Sequence, residues 1–150
     1  MANNNHVASR TPRSFGNYNL AEAQAVSLAA TGNTIVALPI LGGGVGTNGS
    51  YILRRITISN PANVAGGAVP NCAGCNVSII TSNDGNASNA VAAAQTLTNV
   101  TAAYKYQDLT LATATTNTAQ TASVLFLKIN SGNVANASAT IAVYGDLVNP

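Results

Sequence analysis

The stretch from Thr121 to Pro150 constrains the fold most. Ser123 to Asn130 is dense in branched and aromatic side chains and holds no Gly or Pro. Ser131, Gly132 and Asn133 supply turn chemistry, and Ala137 to Tyr144 then alternates small or polar with apolar residues until Gly145-Asp146. Two such runs across a short Gly-bearing loop predict an antiparallel hairpin. The rest of the chain is then expected to supply strands that pair with this hairpin or pack over it.

The upstream sequence reads the same way. Glu22 to Ala30 alternates and is read as a strand, although its alanines also suit a short helix. Thr34 to Leu41 is strand-like, but Pro39 has no N–H to give a ladder, so this is an edge strand or one broken at Pro39. Gly42 to Gly49 is a flexible loop that lacks the Gly-Lys-Ser/Thr ending of a phosphate loop. Tyr51 to Ser59 is a strand that Asn60-Pro61 is expected to stop. Strict alternation there puts Ile52, Arg54, Ile56 and Ile58 on one face. If that face is the core, Arg54 needs a partner, and Asp108, Asp146 or a group on a neighbouring subunit is expected to supply it; the alternative is that Arg54 lies near a sheet rim and reaches water. Asn76 to Thr81, Gln95 to Thr101 and Tyr104 to Leu111 complete the extended runs. Ala62 to Gly74 and Ala112 to Ala122 read as loops, and Ala87 onward as a helical turn. About eight short strands with turn signals between them predict an all-β fold, an antiparallel jelly-roll-like β-sandwich over residues 20–150. Residues 1–19 form a polar, aperiodic N-terminal arm. Either the arm is a free tail, or it orders on a neighbouring subunit, anchored by Phe15 and Tyr18 and steered by Arg10 and Arg13.

Composition narrows the function. Charged residues are only 7% of the chain and the net charge is +2, spread over Arg10, Arg13, Arg54, Arg55, Lys105 and Lys128. Nucleic-acid binding wants clustered cations, so none is expected. No run approaches the length of a membrane-spanning helix, and Met1 to His6 lacks a signal-peptide pattern, so neither membrane insertion nor secretion is expected. So uncharged an Asn/Thr/Ala surface suits a subunit of an assembly more than a freely diffusing protein. Catalysis is not expected. The one histidine, His6, lies in the arm, and Glu22, Asp84, Asp108 and Asp146 are scattered. Cys72-x-x-Cys75 is compatible with free thiols, with a local disulfide, or with a metal shared between symmetry mates; a second ligand pair within the chain is absent. No cofactor is implied. The Asn-x-Ser/Thr triplets at Asn76, Asn86 and Asn99 are read as unglycosylated. Tyr104, Tyr106 and Asp108 recur at every second position, which gives either a small carbohydrate platform or a cross-strand tyrosine pair.

Leu97 to Leu111, the Thr/Ala-rich loop after it, Val124 to Ile129 and Ala139 to Leu147 resemble the small decoration, or cement, proteins of tailed-bacteriophage heads. The closing Val143-Tyr144-Gly145-Asp146 weighs most in that resemblance. It covers about a third of the chain and rests on structural motifs. It implies a non-enzymatic β-sandwich that binds the major capsid protein on the outer surface of the virion. Such proteins are often trimers, and they stabilise the shell after assembly in the host cytoplasm. The arm and the Cys72/Cys75 loop have no counterpart in the resemblance. The competing expectation is a receptor- or glycan-binding module on the virion surface.

Overall fold

The computed structural model describes residues 18–29, 34–40, 50–132 and 135–148. Its strands are β1 (Tyr18–Ser27), β2 (Thr34–Pro39), β3 (Ser50–Asn63), β4 (Asn76–Ile80), β5 (Ala90–Thr96), β6 (Tyr106–Asp108), β7 (Val124–Ser131) and β8 (Ala137–Val148). The first strand pairs with the last, the second with the seventh, the third with the sixth and the fourth with the fifth, all antiparallel. β8 also pairs with β3, and β7 with β4. The result is two four-stranded sheets, β1-β8-β3-β6 and β2-β7-β4-β5. They share one buried cluster. Leu20, Leu53, Ile56, Ile58, Ile141 and Val143 come from the first sheet, and Leu38, Val77, Ile79, Leu125, Leu127 and Ile129 from the second.

The expected C-terminal hairpin does not form. Both of its strands lie where the alternation puts them, but β7 is interior to the second sheet and β8 to the first. The link from Ser131 to Ala137 crosses between sheets, with Asn136 in the left-handed region (φ 60). Each strand carries a full apolar row: Leu125, Leu127 and Ile129 on β7; Ala137, Ala139, Ile141 and Val143 on β8. Crossing turns the two rows toward each other across one core, and both strands gain two ladder partners. Turn-forming residues are compatible with either connection, so burial decides.

β8 is the regular strand of the first sheet, and both its neighbours bulge against it. β1 shifts register between Asn19 and Ala21 and again between Ala23 and Val26. β3 shifts between Leu53 and Arg55 and again between Ser59 and Ala62. The second bulge on each flank contains a left-handed residue, Ala25 (φ 52) or Asn60 (φ 51). Asn tolerates that conformation, whereas Ala carries a cost of roughly 1–2 kcal/mol. The bulge at Asn60 corrects the expected stop: Asn60-Pro61 is absorbed and β3 runs on to Asn63. The bulge at Arg54 corrects the expected face. One extra residue inverts the alternation, so Tyr51 and Leu53 share the core side with Ile56 and Ile58, while Arg54 and Arg55 face outward.

Other boundaries also move. β1 begins at Tyr18, so Tyr18 and Asn19 belong to the sandwich and not to the arm. β5 occupies Ala90–Thr96, after a single 3-10 turn at Ala87–Asn89 where the Asn86 side chain accepts from the Ser88 N–H, and Leu97 to Thr101 is not a strand. β6 keeps only three residues of the expected Tyr104 to Leu111 run. A short helix, α1 (Thr113–Asn117), lies in the expected Thr/Ala loop. β2 is the edge strand that Pro39 requires. On the opposite side of the sandwich two glutamines tie the edge strands together. Gln107 of β6 accepts from the Thr98 and Asn99 N–H groups (2.7 and 3.0 Å). Gln95 of β5 accepts from the Thr110 N–H (2.9 Å) and donates to its carbonyl (3.1 Å).

Candidate binding surfaces

The outer face of the first sheet collects most of the charge among the described residues. The Arg54 Nε donates to Asp146 Oδ2 at 2.7 Å, and its Nη1 donates to the Thr116 carbonyl at 3.2 Å beside α1. Asp146 is therefore the expected partner, but the pair sits at a half-buried rim, with side-chain exposures of 28% and 15%, rather than inside the core. The bulge explains this, since it turns Arg54 away from Leu53 and Ile56. Next to it the Arg55 guanidinium lies 4.5 Å from the centre of the Tyr144 ring, a cation–π contact. Asp108 accepts from the Thr57 hydroxyl at 2.5 Å. Glu22 accepts from the Asn19 and Gln24 side chains at 3.1 and 2.7 Å. Each acid on this face thus has a local partner.

Gly145 makes that cluster geometrically accessible. A Cβ there would collide with the Ile52 carbonyl oxygen and come within 2.7 Å of Leu20 Cδ1. Only glycine lets the bulged flanks of β1 and β3 close on β8 at this level. The Val143-Tyr144-Gly145-Asp146 run therefore has a separate physical task for its last three residues: Tyr144 stacks on Arg55, Gly145 admits the bulges, and Asp146 holds Arg54. It does not end β8, as the alternation suggested; the strand continues to Val148.

The outer face of the second sheet is different. Ladder partners put Pro39 beside Val124, and Ala37 beside Phe126, which faces Ile80. Ile35 lies beside Lys128, which faces Ser78. The segment from Thr81 to Asn89 folds over this face at the β4 side. The Lys128 Nζ donates to the Gly85 carbonyl at 2.9 Å, and Ile80 has no exposure. At the loop's tip the Asp84 carboxylate is held below its usual pKa by the Ser82 hydroxyl and then the Asn86 N–H. Pro39 and Ala37 are exposed, and Ile35, Val124 and Phe126 are half-buried.

A third surface lies at the tip of β6. Tyr104 and Tyr106 are 67% and 62% exposed and line an open cleft of about 490 Å³ together with Asp108, Lys105 and Asn99. Tyr106 opens β6 and Tyr104 precedes it, and both rings are largely open to solvent.

The cysteines are core residues. Cys72 and Cys75 have no exposure, and the Cys75 thiol donates to the Leu28 carbonyl at 3.7 Å. Their turn runs beside the segment after β5: the Cys72 N–H donates to the Val100 carbonyl, and the Leu97 N–H to the Cys75 carbonyl. With Leu97 and Val100 they plug one end of the sandwich. Burial, followed by the nearby Cys75, pushes the Cys72 thiol up to about 11, so it stays protonated at neutral pH. No disulfide joins them, and residues without exposure cannot offer a metal to a symmetry mate. Among the described residues no group of three His, Cys, Asp or Glu side chains converges on one point. Arg10, Arg13 and Phe15 lie outside the described residues; Tyr18 opens β1 opposite Gly145 and is 43% exposed.

Neither family models, nor curated proteins, nor solved structures give a match to this chain. The functional reading therefore rests on the chain's own geometry and on the resemblance in its sequence.

Proposed function

We propose that the protein is a structural virion component, a decoration protein that attaches to the outside of a phage head through the outer face of its second sheet. The observation that carries this reading is the segregation of charge between the two outer faces. Interface cores are depleted in charge, because each buried charge must be desolvated. On the second face the strands offer Ile35, Ala37, Pro39, Val124 and Phe126, and their one cation, Lys128, is already tied to Gly85. The first face, with its hydrogen-bonded charges, suits the medium. The fold supports the reading too. Pairing of first with last, second with seventh, third with sixth and fourth with fifth is what a double Greek key rolled into a jelly roll produces. In this proposal the arm reaches a neighbouring chain, the particle carries the protein as a trimer, and no reaction is catalysed.

The test is cosedimentation with purified heads that lack the protein, combined with sedimentation velocity of the free chain. Saturable binding at a fixed stoichiometry is expected. Ala37→Glu puts a charge on the second face and should abolish binding, while Thr140→Glu on the first face should leave it intact; both should change stability by no more than about 0.5 kcal/mol. A monomer that ignores heads, or equal effects of the two substitutions, overturns the proposal.

A further inference from the structure

We infer that the cleft at the tip of β6 is a binding site for short neutral oligosaccharides. The inference does not rest on the shell-binding reading, because the cleft lies on the other sheet. Two tyrosines more than half exposed are a costly feature in a chain with five Tyr, two Phe and no Trp. Exposed aromatic surface held next to polar groups marks a contact site rather than a packing accident. The cleft of about 490 Å³ has the dimensions of a small-ligand site.

The chemistry selects the ligand. A sugar ring presents a C–H face, which lies flat on an aromatic ring, and a rim of hydroxyls. Tyr104 and Tyr106 supply the rings, and Asp108, Lys105 and Asn99 line the same cleft with acceptors and donors for hydroxyl groups. One carboxylate and one ammonium balance each other, which favours a neutral ligand over an anionic one. Asp108 is also oriented, since Thr57 holds one of its oxygens.

Hydrogen bonds hold the backbone of the platform before any ligand arrives. Val100 bridges to Lys105, the Thr101 N–H donates to the Tyr104 carbonyl at 2.6 Å, and the Tyr104 N–H donates to the Thr101 hydroxyl at 2.9 Å. The Asn60 N–H fixes the Lys105 carbonyl at 3.0 Å, and Cys72 anchors Val100 from the core side. Gln107, between Tyr106 and Asp108, spends its amide on Thr96, Thr98 and Asn99. A backbone held on such a frame loses little freedom on binding, which favours even a weak ligand.

The experiment is an NMR titration of the full chain, with tyrosine rings labelled, against maltotetraose, cellotetraose and N-acetylchitotetraose, with sialyllactose as the anionic comparator. At least one neutral sugar should shift the Tyr104 and Tyr106 resonances with a Kd of about 1 mM. Each Tyr→Ala substitution should weaken that binding roughly tenfold, and Tyr→Phe should retain most of it. Circular dichroism should show all variants folded. The inference is overturned if no neutral sugar shifts either ring at about 10 mM, if sialyllactose alone binds, or if the alanine variants bind unchanged. It is equally overturned if they alter only the sedimentation of the free chain, which would make the tyrosines a contact between copies.

Discussion

The two sheets solve the same problem, covering one core, with opposite outer surfaces. In the first, β8 is flanked by four bulges and its outer face carries Arg54, Arg55, Asp108, Asp146 and Glu22, each held by a neighbour. In the second, β2 and β7 pair without a shift, and the outer face is apolar apart from Lys128 and short polar groups such as Ser78 and Asn130. The two differences are connected. A bulge breaks the inside-outside alternation and sets consecutive side chains, here Arg54 and Arg55, on the same side. The regular ladder of β2 and β7 keeps strict alternation, so its outward row reads Ile35, Ala37, Pro39 and Val124, Phe126, Lys128. At Arg54 and Arg55 the irregular pairing thus concentrates charge, and the regular β2–β7 ladder leaves a row of low polarity, although β4 pairs with β5 and β7 through register shifts of its own.

Glycine substitutions break that comparison most severely. Gly145→Ala would drive a methyl group into the Ile52 carbonyl, which is backbone and cannot swing away. We expect a loss of about 3 kcal/mol or more in urea unfolding, with the adjoining bulges of β1 (Asn19/Ala21) and β3 (Leu53/Arg55) disrupted. Gly85→Ala, in the loop over the second sheet, meets only the end of Lys128 at 3.6 Å and the Ile35 side chain at 3.9 Å, but has a φ of +73. Its cost should be confined to backbone strain, about 1 kcal/mol. Equal costs at the two glycines would mean that the bulged sheet has no special need for close approach at Gly145.

The elements were legible because alternation is local: seven of the eight strands overlap a run that reads as extended along most of its length, and β5 alone is displaced toward Ala90. The partners were not legible in the same way. Ser131-Gly132-Asn133 signals a reversal of direction and carries no information on whether the chain returns beside itself or crosses the core. The bulge at Arg54 is also invisible from β3 alone, since the close approach beside it is permitted by the missing side chain of Gly145, about 90 residues away in sequence. Alternation alone therefore puts Arg54 on the isoleucine face, whereas its partner is legible from composition: with four acids in the chain, Asp146 is one of two well-placed candidates. The every-second-residue spacing of Tyr104, Tyr106 and Asp108 pointed to the cleft, but their exposure depends on β6 being an edge strand. The apolar outer face of the second sheet had no sequence signal, because it appears only after each strand is assigned to a sheet.

The ion pair sharpens the electrostatic half of the comparison. Arg54→Ala removes a charge-assisted bond to Asp146 and one to the Thr116 carbonyl at a half-buried rim. The loss should be about 1–2 kcal/mol, between the values for an exposed and a fully buried pair. A double-mutant cycle with Asp146→Asn should show coupling of about 1 kcal/mol. A loss within about 0.3 kcal/mol would place the charges of the first face among ordinary solvated surface charges.

Lys128 supplies the smallest and most discriminating effect. It is the second face's one charged strand residue, and its ammonium rests on the neutral Gly85 carbonyl at 2.9 Å. Lys128→Met keeps the aliphatic stem over Ile35 and removes a single bond at a partly exposed site, so the expected cost is about 0.5 kcal/mol. The response to salt separates the two faces better than the magnitude does. Attraction between Arg54 and Asp146 is screened as ionic strength rises, and their coupling should fall appreciably between about 0.05 and 1 M NaCl. An ammonium on a carbonyl dipole has no opposite charge to be screened, so the Lys128→Met cost should stay nearly constant over that range. Parallel urea titrations of both variants at low and high salt make the comparison. If the Lys128 cost falls with salt as steeply as the Arg54 coupling does, its partner is a carboxylate such as Asp84 at the loop tip, and the second face carries an ion pair of its own.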